Sequence, residues 1–326
     1  MRTIAGLATI LAAAVAAQTA EVAMETVEYK GWKNNLKIAN QQMELIVTLD
    51  IGPRVIFLGP VGGENVFKNY DAQMGKCGEK EWQIRGGHRL WLAPEGMPFS
   101  YFPDNTPVAT KKLGPNSVRF IPAPETPNGI QKEMDITLDA AANHVKVVHR
   151  LKNIGKKKIH IAPWALTVMA PGGMEIIPLP AKKSHDEELQ PNQFMTIWAY
   201  TDFADPRWHW GTRYFTLSQD PQKGPTKIGL AHQEKWIGYL RNGLLFVKAI
   251  DYKRGAAYPD NGCNFETFTN QEFLEAESLG PVGDLAPGKS VEHVEQWYLF
   301  TGVPRVASGD EAAIDRHIRP LVERIK

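Results

Sequence analysis

The chain has 326 residues with 37 Lys and Arg against 36 Asp and Glu, a formal net charge of +1. That balance lacks the basic excess a nucleic-acid partner requires, and the short run Lys156-Lys157-Lys158 reads as a solvated turn. With 43% hydrophobic and 22% charged residues, the composition is that of a globular protein long enough to bury a sizeable core.

At the start, Arg2 precedes an apolar stretch from Ile4 to Val15, followed by the small-residue sites Ala14-Val15-Ala16 and Ala16-Ala17. This pattern predicts an export leader over residues 1–17, with the mature protein beginning near Gln18 and secreted or periplasmic. The stretch is shorter than the roughly 20 residues of a spanning helix, and no later segment reaches that length, so no membrane span is expected. Residues 18–326 then read as one β-sandwich domain.

Period-two alternation dominates the rest. Met43, Leu45, Val47, Leu49 and Ile51 predict a half-buried strand ending at Gly52-Pro53. Val145, Val147, His149 and Leu151 predict another, and Ile159 with Ile161 open a third that runs to about Ala170. Asn242-Gly243, between 236–240 and 244–250, is the clearest hairpin signal, because both residues tolerate the positive φ of a two-residue turn. Further strands are expected at 54–58, 117–121, 132–138, 213–218, 264–268, 273–277 and 291–300. One helix is expected, over 309–325: Ser308 and Glu311 resemble a capping box, and Ile314, Ile318, Leu321 and Ile325 share a face, with Pro320 in its middle. No regular strand–helix alternation occurs, so the expected fold is mainly β, a large twisted antiparallel sandwich with a short C-terminal helix. Cys77 and Cys263, the only two cysteines, lie in Gly-rich stretches without metal-ligand spacing. Whether they pair is left open by the sequence.

Three stretches concentrate chemistry. In Arg85-Gly86-Gly87-His88-Arg89-Leu90-Trp91-Leu92-Ala93-Pro94-Glu95, two glycines permit close backbone approach. An extended chain then puts Arg89 and Trp91 on one face, with His88 and Leu90 on the other. An indole stacks on the apolar face of a sugar and a guanidinium grips its oxygens, so Arg89, Trp91 and Glu95 are candidate binding residues. In Phe273-Leu274-Glu275-Ala276-Glu277, the two carboxylates share a strand face. Adjacent carboxylates raise each other's pKa, which suits proton exchange near neutrality. Glu266, in the preceding strand, is assigned to the same cleft. The third stretch, Pro206-Arg207-Trp208-His209-Trp210-Gly211, crowds two indoles and an imidazole, and His209 is a candidate ligand contact. The sequence has no nucleophile elbow, phosphate loop, calcium loop or paired metal-binding His, so no metal or cofactor is expected.

The stretch Gly86–Glu95, the run Pro163-Trp164-Ala165-Leu166-Thr167, and the segment from Phe273 through Leu285-Ala286-Pro287-Gly288 to Trp297 resemble the galactose-mutarotase-like superfamily. More closely, they resemble a domain-of-unknown-function family within it. The resemblance spans nearly the whole mature chain and implies a twisted sandwich whose concave sheet carries a sugar site. Aldose mutarotases take the anomeric hydroxyl proton with a Glu and protonate the ring oxygen with a His. Leu274-Glu275-Ala276 matches the position of that Glu, which makes Glu275 the expected base. Where the family has Asn-His, this chain reads Ala162-Pro163-Trp164, with His160 nearby. His88 is therefore expected as the acid, with His209 as the other source of a proton and Trp164 as a stacking platform.

Three functions stay open at this stage. The first is an aldose-epimerase-like enzyme acting on a mono- or oligosaccharide. The second is a uronate-directed lyase in which Arg89 neutralises the carboxylate. The third is a non-catalytic glycan-binding domain. The oligomeric state is not legible.

Overall fold

The computed structural model describes residues 21–325, so the leader-like segment 1–17 lies outside the described residues. Two antiparallel sheets, one of eleven strands and one of ten, pack face to face. Their strands read as the alternation predicts. In Ser290–Phe300 the inward positions His293, Glu295, Trp297 and Leu299 are buried while their neighbours are partly exposed. The inner faces meet in one apolar core that includes Leu45, Leu92, Val147, Phe246, Phe265 and Trp297. A second apolar cluster lies on the outer face of the ten-stranded sheet, where Ile176, Tyr214 and Leu245 receive Ile314, Ile318 and Val322 from the C-terminal segment.

The predicted strands fall within a few residues of those observed, and the Asn242-Gly243 turn joins Trp236–Arg241 to Leu244–Ile250 with φ of 49° and 77°. The strand expected from Met43 to Ile51 is shorter, Met43–Thr48, and follows two strands, Ala23–Tyr29 and Trp32–Ala39; Gly52, with φ of 99°, turns the chain beyond it. The predicted single helix is two, Glu311–His317 and Arg319–Glu323, divided just before Pro320. Asp310, not Ser308, caps the first of these by accepting from the Ala313 amide, whereas Ser308 pairs with Thr216. Glu311 reaches away from the cap to accept from the amides of Thr212, Arg213 and Tyr214. Both cysteines are free: Cys77 is exposed and Cys263 buried. Among the described residues, no helix is long and apolar enough to cross a membrane.

Five neighbouring strands of the eleven-stranded sheet matter most for function. In spatial order they are Gly87–Ala93, Ile159–Met169, Leu274–Leu279, Phe265–Thr269 and Thr226–Leu230. Residues directly opposite in an antiparallel pair point to one face, so the register decides which side chains meet.

Candidate functional site

Arg89, Leu166, Glu277, Glu266 and Gly229 are register partners across all five strands. On one side of this row lie Trp91 and Trp164, opposite each other, and on the other lie Val168, Glu275, Phe268 and Lys227. All point to the outer face of the sheet, away from the inter-sheet core. A cleft of about 250 Å³ opens there, lined by Arg89, Trp91, Trp164, Lys227, Glu275 and Glu277, with Glu95 at its rim. Trp82 and Tyr101 complete an aromatic wall from the loops on either side of Gly87–Ala93. Ring centroids lie 4.9 Å apart for Trp82–Trp91, 5.5 Å for Trp82–Tyr101 and 5.4 Å for Trp91–Trp164.

The charged groups in this cleft are paired, apart from Glu95 at the rim, which accepts from the Tyr101 hydroxyl. Arg89 Nη1 donates to Glu275 Oε1 at 2.8 Å, and its guanidinium carbon stands 4.4 Å from the Trp91 ring centroid. Lys227 Nζ lies 2.7 Å from Glu266 Oε2 and 3.2 Å from Glu277 Oε2. It also stands 4.6 Å over Trp198 and 5.0 Å over Trp164. Trp164 Nε1 donates to Glu277 Oε2 at 2.9 Å. Neither oxygen of Glu266 has an aligned hydrogen-bond donor, although the side chain is fully buried. Burial pushes both Glu266 and Glu277 above the ordinary carboxylate range, against the pull of Lys227. Burial works the other way on Lys227, yet Glu277 and Glu266 hold its ammonium above the usual lysine value.

The structure thus brings together Arg89, Trp91, Glu95, Trp164, Glu275 and Glu277 in one cleft, with Glu266 directly behind Glu277. Two expectations need correction. His88 is not in the cleft: strand alternation turns it into the inter-sheet core, where it is fully buried, with Nδ1 2.9 Å from Thr167 Oγ1 and Nε2 2.7 Å from His149 Nε2. Burial there drives it well below the usual histidine range, which keeps it neutral and unsuited to donate to a cleft ligand. His209 is also elsewhere. It lies in the edge strand Trp208–Trp210 of the other sheet, close against Gly309. The two glycines before His88 serve the protein's own backbone rather than a ligand. A Cβ on Gly86 would stand 2.0 Å from the Lys68 carbonyl oxygen, and one on Gly87 2.4 Å from that of Val55.

Several features were missed from sequence, among them the wall residues Trp82 and Tyr101, which lie in loops outside any motif. Lys227 carries no motif, and only the fold sets it between two glutamates. Arg54, fully buried, donates to the carbonyls of Gln83, Ile84 and Gly86 and to Asp104, tying together the loops that carry Trp82 and Tyr101.

A second polar cluster lies between the sheets. His88, His149 and Glu295 place their ligating atoms within 4.8 Å of one another. A metal does not fit them: two imidazoles bound to one ion at about 2.0–2.1 Å stand roughly 3.3 Å apart, whereas these nitrogens are 2.7 Å apart. Lys248 already neutralises Glu295 at 2.8 Å and also donates to Thr167 and the Ala276 carbonyl. His149 faces the His293 carbonyl through Nδ1, so Nε2 is free to accept from His88. Every member of this chain of hydrogen bonds is satisfied, which is what a buried polar network requires.

No protein-family model matches the chain, and no curated protein matches its sequence. Solved structures do match its fold. A galactose mutarotase-like protein from Lactobacillus casei aligns over 82% of this chain and 100% of its own, with 10% identity and a TM-score of 0.57. Slr1438 from Synechocystis sp. PCC 6803 aligns over 85% and 100%, with 9% identity and a TM-score of 0.56. A TPR-domain containing protein from Parabacteroides distasonis aligns over 83% of this chain with 16% identity and a TM-score of 0.57, and the chain spans 48% of its length. The fold is therefore galactose-mutarotase-like.

Proposed function

We propose that this galactose-mutarotase-like chain binds a sugar ring in the cleft and opens it reversibly, as an aldose-epimerase-like enzyme, with Glu275 as the base. The observation that carries this reading is the position of Glu275. It is a carboxylate in an aromatic cleft, held by Arg89 through one oxygen, at the place where the sequence resemblance puts the mutarotase base. Trp91 and Trp164 offer apolar faces to the sugar's C–H groups, and the carboxylates accept from its hydroxyls. In the reaction Glu275 takes the proton of the anomeric hydroxyl, the C1–O5 bond breaks as C1=O forms, and O5 takes up a proton. Closure on either face of the aldehyde returns both protons.

The charge pairing favours a neutral sugar over a uronate, because the Arg89 guanidinium is already engaged by Glu275. A panel of neutral aldoses, uronates and oligosaccharides, read by thermal shift and by anomer-exchange NMR, tests the reading. Accelerated exchange of at least one neutral aldose supports it. Binding without exchange assigns the chain to glycan recognition alone, and a response confined to uronates with unsaturated products assigns it to a lyase. The leader-like start supports export, which the intact mass of natively produced protein tests: a species beginning near residue 18 supports it and a full-length one contradicts it.

A further inference from the structure

Reversible ring opening needs an acid for the ring oxygen, and among the described residues no histidine lines the cleft. Three neighbouring groups supply an answer: Lys227 and Glu277, which line the cleft, and Glu266 behind them. Glu266 and Glu277 are direct cross-strand partners pointing to one face, an arrangement in which two like charges repel. Both are buried, with relative exposures of 0% and 1%. Between them they contact one cation, Lys227, since Arg89 pairs with Glu275. The other charged groups that bear on the pair are Glu275 and Arg89 on the cleft side, Asp260 near Glu266, and Glu175 from the second sheet. Three of these four are acids. A second buried negative charge here has no cation to balance it, and a buried unbalanced charge takes up a proton instead.

We propose that Glu266 and Glu277, beside the Lys227 ammonium, share one proton at neutral pH, and that Glu277, the carboxyl open to the cleft, passes it to the sugar's ring oxygen. Glu277 is then the acid opposite Glu275, while Glu266 and Lys227 are positioning residues that keep the proton available. As O5 takes the proton, Glu277 becomes a carboxylate stabilised by Lys227 and by the Trp164 N–H. Ring closure gives the proton back. Two carboxyls in contrasting surroundings, one beside a guanidinium and one sharing a proton, divide the base and acid roles in this way. The acid role rests on the ring-opening reading above; the shared proton does not.

Glu266→Gln and Glu277→Gln test both parts on the full chain. With either change the remaining glutamate has Lys227 to itself and ionises. Difference infrared spectra at pH 7, wild type minus variant with 13C-labelled glutamate, are therefore expected to show the loss of one protonated carboxyl and no carboxylate. The buried Glu175 cancels in the difference. Loss of a carboxylate band alone in either spectrum overturns the proposal, and because the two variants are independent, either one that folds carries the test. For an aldose that the wild type interconverts, E277Q is expected to slow anomer exchange on the order of a hundredfold. Exchange by E277Q at the wild-type rate overturns its role as acid. If the wild type exchanges no aldose, the ring-opening reading falls while the infrared result still decides the shared proton.

Discussion

Replacing Glu175 by Gln isolates the energetics of one buried carboxyl. Glu175 lies in the strand Met174–Pro178, points into the inter-sheet core, is fully buried, and has no well-aligned hydrogen-bond donor on either oxygen, although the Thr267 hydroxyl lies beside it and opposes the effect of burial. Burial pushes its pKa up to about 8 from an ordinary value of 4.5. The folded protein thus keeps the proton through a range in which the unfolded chain gives it up. A raised folded pKa contributes stability that is full below pH 4.5 and is lost as pH rises towards 8. At about 1.4 kcal/mol per pH unit over roughly 3.5 units, the loss amounts to about 5 kcal/mol. Gln has nearly the same shape and does not titrate, so the difference between variant and wild type removes every other titrating group. Urea unfolding of both proteins at pH 5, 6, 7 and 8 should show E175Q gaining on the wild type by about 1.4 kcal/mol per unit, levelling above pH 8. Any constant offset from the introduced amide leaves this slope unchanged. A difference independent of pH between 5 and 8 would refute the reasoning.

Other expectations follow from the same contacts. His232, buried and facing the Trp236 carbonyl, is pushed down to about 4, so it contributes stability above pH 6.5 that is lost as pH falls towards 4. A non-titrating His232→Gln variant should be less acid-sensitive by about 3 kcal/mol across that window in paired urea melts, and equal acid sensitivity would contradict the assignment. Gly87→Ala forces a Cβ to within 2.4 Å of the Val55 oxygen at a φ of 69°, which should lower the melting temperature by many degrees; a change of a degree or two would mean that the strand entry tolerates a side chain. Trp91→Ala removes a wall of the cleft and should weaken binding of any sugar ligand at least tenfold, as read by calorimetry, whereas unchanged affinity would remove Trp91 from the site.

Much of the fold was legible because the inner-facing positions of strands such as Ser290–Phe300 alternate cleanly with wetter ones. The same alternation placed Arg89 and Trp91 together, and Glu275 beside Glu277, before any pairing was known. It also implied that His88 faces away from Arg89, and the structure follows the alternation rather than the catalytic role assigned to that residue. Lys227 was not legible, since its meaning comes entirely from its register against Phe268 and the neighbouring glutamates, a long-range pairing that no local pattern encodes. The inter-sheet network of His149, His293, Glu295 and Lys248 was hidden for a related reason. His149, Lys248 and the pair His293 and Glu295 sit on three different strands, and their polar partners are met only through the pairing of strands and the packing of sheets. At the C-terminus, Ser308 and Glu311 matched the local capping pattern, but Glu311 is drawn off by three backbone amides of the 212–214 turn.

The proposed reaction turns on Glu275, the carboxylate held by Arg89 in the cleft. Anomer-exchange NMR of wild type and Glu275→Gln, with the best-bound neutral aldose from the panel, tests it most directly. Exchange should be accelerated by the wild type and reduced at least a hundredfold in E275Q, with binding of the sugar largely retained because Gln preserves the shape of the cleft. Equal exchange by the two proteins would contradict the proposed role of Glu275.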